Sequence, residues 1–481
     1  MKRKFALAVL TATLASTVLP QTYANVLAAP SSESAQNKKQ TEQTEQETWG
    51  KWVRNHAHGL DTIEPATAER KDTFSDLKFL KQALKDKRIV LLGESSHGTA
   101  EFSSAKVRLI QFLHQEMGYD VIAFEFGLGE ASAAFAQADS QTSLDTMKQA
   151  IYPVWHTKET LPLFDYIKQN ANTEHPLILT GFDMQPHRTF TPFARQWFAH
   201  IDAERATQLE QTERQLAQLF RLEATLKEFS ASKSKLVQQY NELKKFVKDN
   251  KDALQRVYPD RPELISIVDR VFDSRLRALN EYLEPNIRLY ENYQNGKYEP
   301  PASLEENPIY LRDKAMAEDL AWLAETLYPD KKIIVWGHNS HIRKKSSGVK
   351  NDLIFGGAPN MTELLPERLK EQAYSIGLYM YQGENADNSQ EKHPVKQPEN
   401  PESLEMIMKQ ADQRYAFVDM AQEKRKKGTE WMFESRPAFY WGGMFEEQFV
   451  PREQYEGILQ IDTVHAPHYL TGESEKKQDK E

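Results

Sequence analysis

Cysteine is absent from all 481 residues. That excludes thiol nucleophiles, thiolate metal sites and iron–sulfur clusters, and it leaves an exported chain to rely on its core rather than on disulfides. An excess of basic charge is missing too. Formal net charge is −9, and the first 29 residues hold Lys2, Arg3 and Lys4 but no acid, so the remainder carries about −12. This balance lacks the positive footprint of a protein that binds nucleic acid or an anionic membrane. Hydrophobic residues are sparse at 40%, although a chain of this length can still bury a sizeable core. Internal repeats, His-Glu-x-x-His spacing and a Gly-x-Ser-x-Gly elbow are all lacking.

The N-terminus has what the rest of the chain lacks. "MKRKFALAVLTATLASTVLPQTYANVLAAP" joins a basic start to an apolar stretch from Phe5 to Leu19 and small residues at Ala24 and Ala28. This pattern predicts a secretory signal over 1–29, with the mature protein beginning near Asn25 or Ala29, secreted or otherwise outside the cytoplasm. The apolar run is short for a membrane span, and no later stretch is apolar enough to cross a bilayer, so no stable membrane anchor is expected. Residues 30–48 are polar and predict a disordered leader, and 471–481 predict a disordered tail.

Between them, 49–470 read as one α/β unit. "RIVLL", "YDVIAF", "PLILTGF" and "KKIIVWG" are short apolar runs separated by helical patterns. Strand alternating with helix predicts a central, mostly parallel sheet with flanking helices. From about 190 to 327 the sequence turns charged and heptad-like, which predicts a helical insert whose charges form a solvated face. "AYSIGLYMY", "YAFVDM" and "GILQID" supply further strands.

Each of the four apolar runs ends in polar groups. Glu94 and His97 follow the first, Glu125 the second, and Asp183 and Gln185 the third; His338, Asn339, Ser340 and His341 follow the fourth. Ligands of open α/β sheets bind beyond the carboxyl ends of the strands, so parallel strands would gather these clusters at one rim. A lone histidine at a strand end is more often an ordinary loop residue; four polar clusters at matching ends point to a site. Lys106 shares a helical face with Ile110, Leu113 and Met117, so it should point inward, towards the same rim.

Serine nucleophile chemistry at Ser95 fails on the fifth elbow position, where His97 stands in place of glycine. Histidine, glutamate and aspartate leave a metal site open, though without a standard spacing. Direct attack by water remains, with a carboxylate-polarised histidine taking the proton and neighbouring groups stabilising the oxyanion.

"LLGESSHGTAEF", "AFEFG", "TGFDMQ" and "VWGHNSHI", in this order and with a large helical insert before the last, resemble the erythromycin esterase family from Asp76 to the final strand. The resemblance implies a hydrolase that cleaves a lactone or other ester by activated water, with no cofactor and no metal, on a small-molecule substrate. His97 would be the general base, with Glu94 beside it, Glu125 orienting base or water, and His338 and His341 completing the catalytic set. Lys106, Asp183, Gln185 and Asn339 would serve substrate binding. Lys106 falls where macrolide-hydrolysing members carry arginine, which keeps a cation but loses its planar fork. Two other readings stand beside this one: a metal-dependent hydrolase or peptidase of the same fold, and a non-catalytic binder of a surface ligand.

Overall fold

The computed structural model describes residues 45–470 apart from 298, 353 and 354. The expected signal, most of the leader and the tail lie outside the described residues. Residues 45–48, expected in the leader, instead open a helix over 45–56. Trp49, Trp52 and Val53 lie on one face of it and are buried, so these anchors carry helix one turn into the polar stretch.

Alternate residues of each central strand serve two different cores. Strands β1 (His58–Gly59), β2 (Ile89–Leu92), β3 (Tyr119–Gly127), β4 (Ile178–Asp183), β5 (Lys332–Trp336), β6 (Ala373–Ala386), β7 (Lys392–Pro394), β8 (Tyr415–Asp419) and β11 (Gly457–Val464) form one sheet, and β9 (Arg436–Tyr440) and β10 (Phe445–Phe449) form a separate hairpin. The order is β1-β8-β11-β6-β2-β5-β3-β4, with β7 on the far end of β6. All pairings from β11 to β4 are parallel; β8 and β1 add antiparallel partners at one edge. Ile89, Leu91, Ile333 and Val335 face the core built with the helical insert. Val90, Leu92, Ile334 and Trp336 face the core shared with α1 (Ala100–Met117). Burial on both faces explains why these strands are continuous apolar runs.

Helix α1 stops at Gly118, whose φ of 69° lets its N–H return to the carbonyls of His114 and Leu113, a left-handed cap that frees the chain to enter β3. Helix α2 (Leu128–Gln137) follows β3. The insert consists of α3 (Phe190–Ala199), α4 (Ala203–Phe220), α5 (Leu226–Asp249), a short helix over Lys251–Val257, α6 (Leu264–Arg277), α7 (Leu283–Gln294) and α8 (Pro308–Trp322). A π-helical turn over Ala278–Tyr282 joins α6 to α7. The insert is therefore helical as its periodicity predicts, but its charges are not all solvated. Arg275, Glu213, Asp313 and Asp319 are buried. Arg275 reaches Glu130 of α2 and Glu213 of α4 at 3.5 and 3.4 Å, so these charges tie the insert to the sheet layer. None of the helices among the described residues is long and apolar enough to cross a membrane.

Registers set the rim. Leu92 lies level with Trp336, Trp336 with Phe124, and Phe124 with Gly181, so the four polar clusters leave the sheet side by side.

Candidate active site

The turn after β2 packs directly on the turn after β5. A Cβ on Gly93 would lie 2.0 Å from Asn339 Oδ1, so only glycine allows that approach. The next residue, Glu94, is fully buried. One of its oxygens receives His97 Nδ1 at 2.7 Å and Trp155 Nε1 at 2.9 Å, and the other receives Lys106 Nζ at 2.7 Å. Burial opposes ionisation of Glu94, but the Lys106 charge and then His97 outweigh it and hold the carboxyl below its ordinary range. A carboxylate only accepts, so His97 carries its proton on Nδ1. Nε2, without a protein partner among the described residues, is then the basic nitrogen.

The second carboxylate stands on a β-bulge. Between Phe124 and Gly127 the β3 strand gains one residue over Gly181–Asp183 of β4, a device that re-aims a side chain beside an active site. Glu125 Oε2 accepts the His338 backbone N–H at 2.9 Å. Its Oε1 faces Arg312 Nη2 at 3.1 Å and His341 Nε2 at 3.2 Å. Arg312 also holds Asp183 at 2.7 Å. His341 Nδ1 meets Asp313 at 2.9 Å. Burial opposes charge on both Glu125 and His341. His341 and Arg312 nevertheless keep Glu125 well below its usual pKa, and Asp313 and Glu125 raise His341 to about 10. At neutral pH His341 is therefore a cation locked between two carboxylates.

His338 has the opposite state. Burial first, then the neighbouring His97, pushes its pKa well below 6.5. Its Nδ1 faces the Tyr440 hydroxyl at 2.8 Å and, at a longer 3.3 Å, the Ser340 backbone N–H; with Nδ1 accepting, the ring proton sits on Nε2. That Nε2 is buried without a hydrogen-bond partner. The His97 and His338 ring centroids are 4.8 Å apart, and Trp441 lies 5.3 Å from each. His97, Glu125, His338 and His341 line a cavity of about 380 Å³, walled by Tyr152, Tyr282, Leu289, Ile309, Arg312 and Trp441 among others. Among the described residues of the insert, those lining this cavity are Tyr282, Asn286, Leu289, Pro308, Ile309 and Arg312; the earlier helices cover a face of the sheet.

The model of the erythromycin esterase family matches residues 114–464. The chain belongs to the erythromycin esterase family. "Putative hydrolase YbfO" of Bacillus subtilis (strain 168) is 41% identical over 424 residues, covering 88% of this chain and 92% of that protein. Erythromycin esterase type II of Escherichia coli is 23% identical over 327 residues, 66% of this chain and 74% of that one. Among solved structures, a Bacillus cereus protein superposes with a TM-score of 0.68 at 22% identity, covering 89% of this chain and 99% of that chain. An erythromycin esterase mutant in its open conformation gives 0.56 at 19%, covering 84% and 98%. The family and the names of these relatives point to a hydrolase.

For a member of the erythromycin esterase family, not every residue expected at the rim reaches the cavity. Lys106 is left by the sequence either to meet substrate or to anchor Glu94 or Glu125. It is fully buried, 4.4 Å from the Trp336 ring centre, and pairs with Glu94 behind His97. Asn339 is spent on the fold, its amide donating to the Leu378 carbonyl at 3.2 Å. Asp183 is covered by Arg312 and by the Tyr152 hydroxyl at 3.2 Å. Of the four residues assigned to substrate binding, only Gln185 lines the cavity. Ser95 Oγ is buried, has no partner and does not line the cavity, which agrees with excluding it as nucleophile. Sequence reasoning missed Tyr152, Trp155, Arg312, Asp313, Tyr440 and Trp441. Arg312 and Asp313 stand in "PIYLRDKAMAEDLAW", where Arg312, Asp313, Lys314, Glu318 and Asp319 spread charge around the helix and leave no clear stripe to mark its buried side.

Proposed function

We propose that this protein hydrolyses a lactone or other carboxylic ester by direct attack of water, with His97 as general base. The pairing of His97 with the buried Glu94–Lys106 ion pair, 4.8 Å from a neutral His338, carries this reading. Water gives a proton to His97 Nε2 as its oxygen bonds to the acyl carbon, and the carbonyl π pair moves onto oxygen. Glu94 stabilises the imidazolium that forms. His338 Nε2–H is the donor available to the oxyanion. Collapse breaks the acyl–oxygen bond, and the departing alkoxide takes the proton back from His97. Arg312 and His341 are both neutralised by carboxylates, so they keep Glu125 ionised and in place.

The test is a panel of esters and lactones, macrolides included, on purified mature protein with and without prolonged chelation. Hydrolysis that survives chelation is expected. Each cleft histidine already spends at least one nitrogen within the protein: His97 on Glu94, His338 on Tyr440 and Ser340, and His341 both of its own. Among the described residues, the set whose ligand atoms lie within 4.8 Å of one another is Asp387, Glu391 and His393, at the β6–β7 turn. Activity lost to a chelator and restored by stoichiometric zinc would establish the metal-dependent reading instead.

Export remains part of the proposal. The basic and apolar N-terminus supports it, and the expected product is a chain beginning near Asn25 or Ala29 outside the cytoplasmic membrane. N-terminal sequencing of the fractionated protein decides it; intact Met1 in the cytosol refutes it.

A further inference from the structure

We propose that Tyr440 is the positioning residue that fixes the proton of His338 on Nε2, and so makes that nitrogen the donor to the oxyanion. The inference rests on the hydrolytic reading above. Three groups converge on His338 Nδ1: the Tyr440 hydroxyl at 2.8 Å, the Ser340 hydroxyl at 2.9 Å and the Ser340 amide at 3.3 Å. One lone pair serves one of them at full strength, and Tyr440 is nearest. With Nδ1 accepting, the Tyr440 hydroxyl donates to His338. Burial raises the phenol well above its ordinary pKa, so it remains a donor throughout the pH range of the enzyme.

The surrounding fold is built to hold the phenol there. Tyr440 ends β9, paired with Phe445 of β10. The next residue, Trp441, takes φ 53°, and Gly442 and Gly443 follow at 65° and 89°. A non-glycine residue in that region is uncommon and is held by its surroundings. Here the Trp441 N–H donates to the Ser95 carbonyl at 2.9 Å, which ties the turn to the "GESSH" loop. The Trp441 ring lies 19° from parallel to His338. On the other strand Glu447 meets Arg343 at 2.8 Å, just beyond the short helix α9 (Asn339–Ile342) that follows His338. Both strands of the hairpin are thus anchored to the two turns that carry His97 and His338.

Tyr440→Phe keeps the ring and removes only the hydroxyl. Roughly a 10- to 100-fold loss in kcat with little change in KM is expected, below the effect of deleting an oxyanion donor outright. Two further readouts separate positioning from packing. In a His338→Ala background the Tyr440→Phe change should cost nothing more, because its action runs through His338. Nitrogen-15 spectra of histidine-labelled protein, assigned by loss of the His338 signals in His338→Ala, should show a proton on Nε2 in the wild type and a shift towards Nδ1 in Tyr440→Phe. A kcat within twofold of wild type, an equal loss in the His338→Ala background, or an unchanged tautomer would each overturn the proposal. If no ester is cleaved by the wild type, the hydrolytic reading falls by itself, and the spectra still decide whether Tyr440 sets the His338 proton.

Discussion

His97→Asn should lower kcat by about 10²–10⁴-fold while leaving KM near its wild-type value, the loss expected when a general base is removed. Asparagine can still donate to Glu94, so the buried ion pair keeps a partner, but it offers no basic nitrogen to the cavity. No other cleft group can substitute. His341 is already protonated, with both nitrogens held by carboxylates. His338 is neutral, but its lone pair faces Tyr440 and Ser340. Steady-state rates on the best substrate of the panel, with circular dichroism to confirm folding, give the measurement. A variant within threefold of wild type would remove His97 from the mechanism.

Lys106→Met should be damaging both to stability and to rate. Glu94 and Lys106 have fully buried side chains. Deleting the cation leaves an uncompensated buried carboxylate, worth about 3–5 kcal/mol of destabilisation. The pH dependence should also reverse. In the wild type the Glu94 pKa is depressed in the fold, so its contribution is present above the unfolded carboxylate pKa and is lost as pH falls through the folded value. Without the Lys106 charge, burial dominates and the folded pKa rises above the unfolded one. The stabilising contribution then exists at low pH and disappears as pH rises through the new value. Thermal melts should therefore show the gap between wild type and variant narrowing from pH 8 towards pH 5.5. Activity should fall at neutral pH, because His97 loses part of the negative charge that supports its protonated state. A gap that stays constant with pH would show that Lys106 acts through packing alone.

The sheet and half of the site were legible because both depend on local pattern. A four-residue apolar run followed by Gly93-Glu94 reads as strand and turn, and parallel strands in matched register bring Glu94, Glu125 and His338 to one edge. What was not legible depends on partners remote in sequence. Arg312 and Asp313 stand in a charged helix much like its neighbours, and only the docking of α8 on β4 turns them inward. Lys106 was placed on the correct face, but the depth of Glu94 beneath the rim could not be read, and that depth decides whether the ammonium meets substrate or carboxylate. Tyr440 and Trp441 lie beyond the last histidine motif, in a hairpin outside the main sheet, where an aromatic pair before two glycines gives no hint of its destination.

The final strand also governs when this protein can become a folded molecule. β11 ends at Val464 of 481 residues, yet it sits inside the sheet, between β6 and β8. Through β8 it also supports β1, about 400 residues earlier in the chain. A growing chain can coil its helices as they appear, but it cannot close the sheet until Gly457–Val464 has left the ribosome, since contacts this distant in sequence are slow to form. Synthesis cut short before Gly457 leaves β6 and β8 with bare edges, a surface prone to association with other chains. Closure of the sheet is thus tied to the synthesis of β11, and a product terminated before it is expected to aggregate rather than to persist as a partly active fragment.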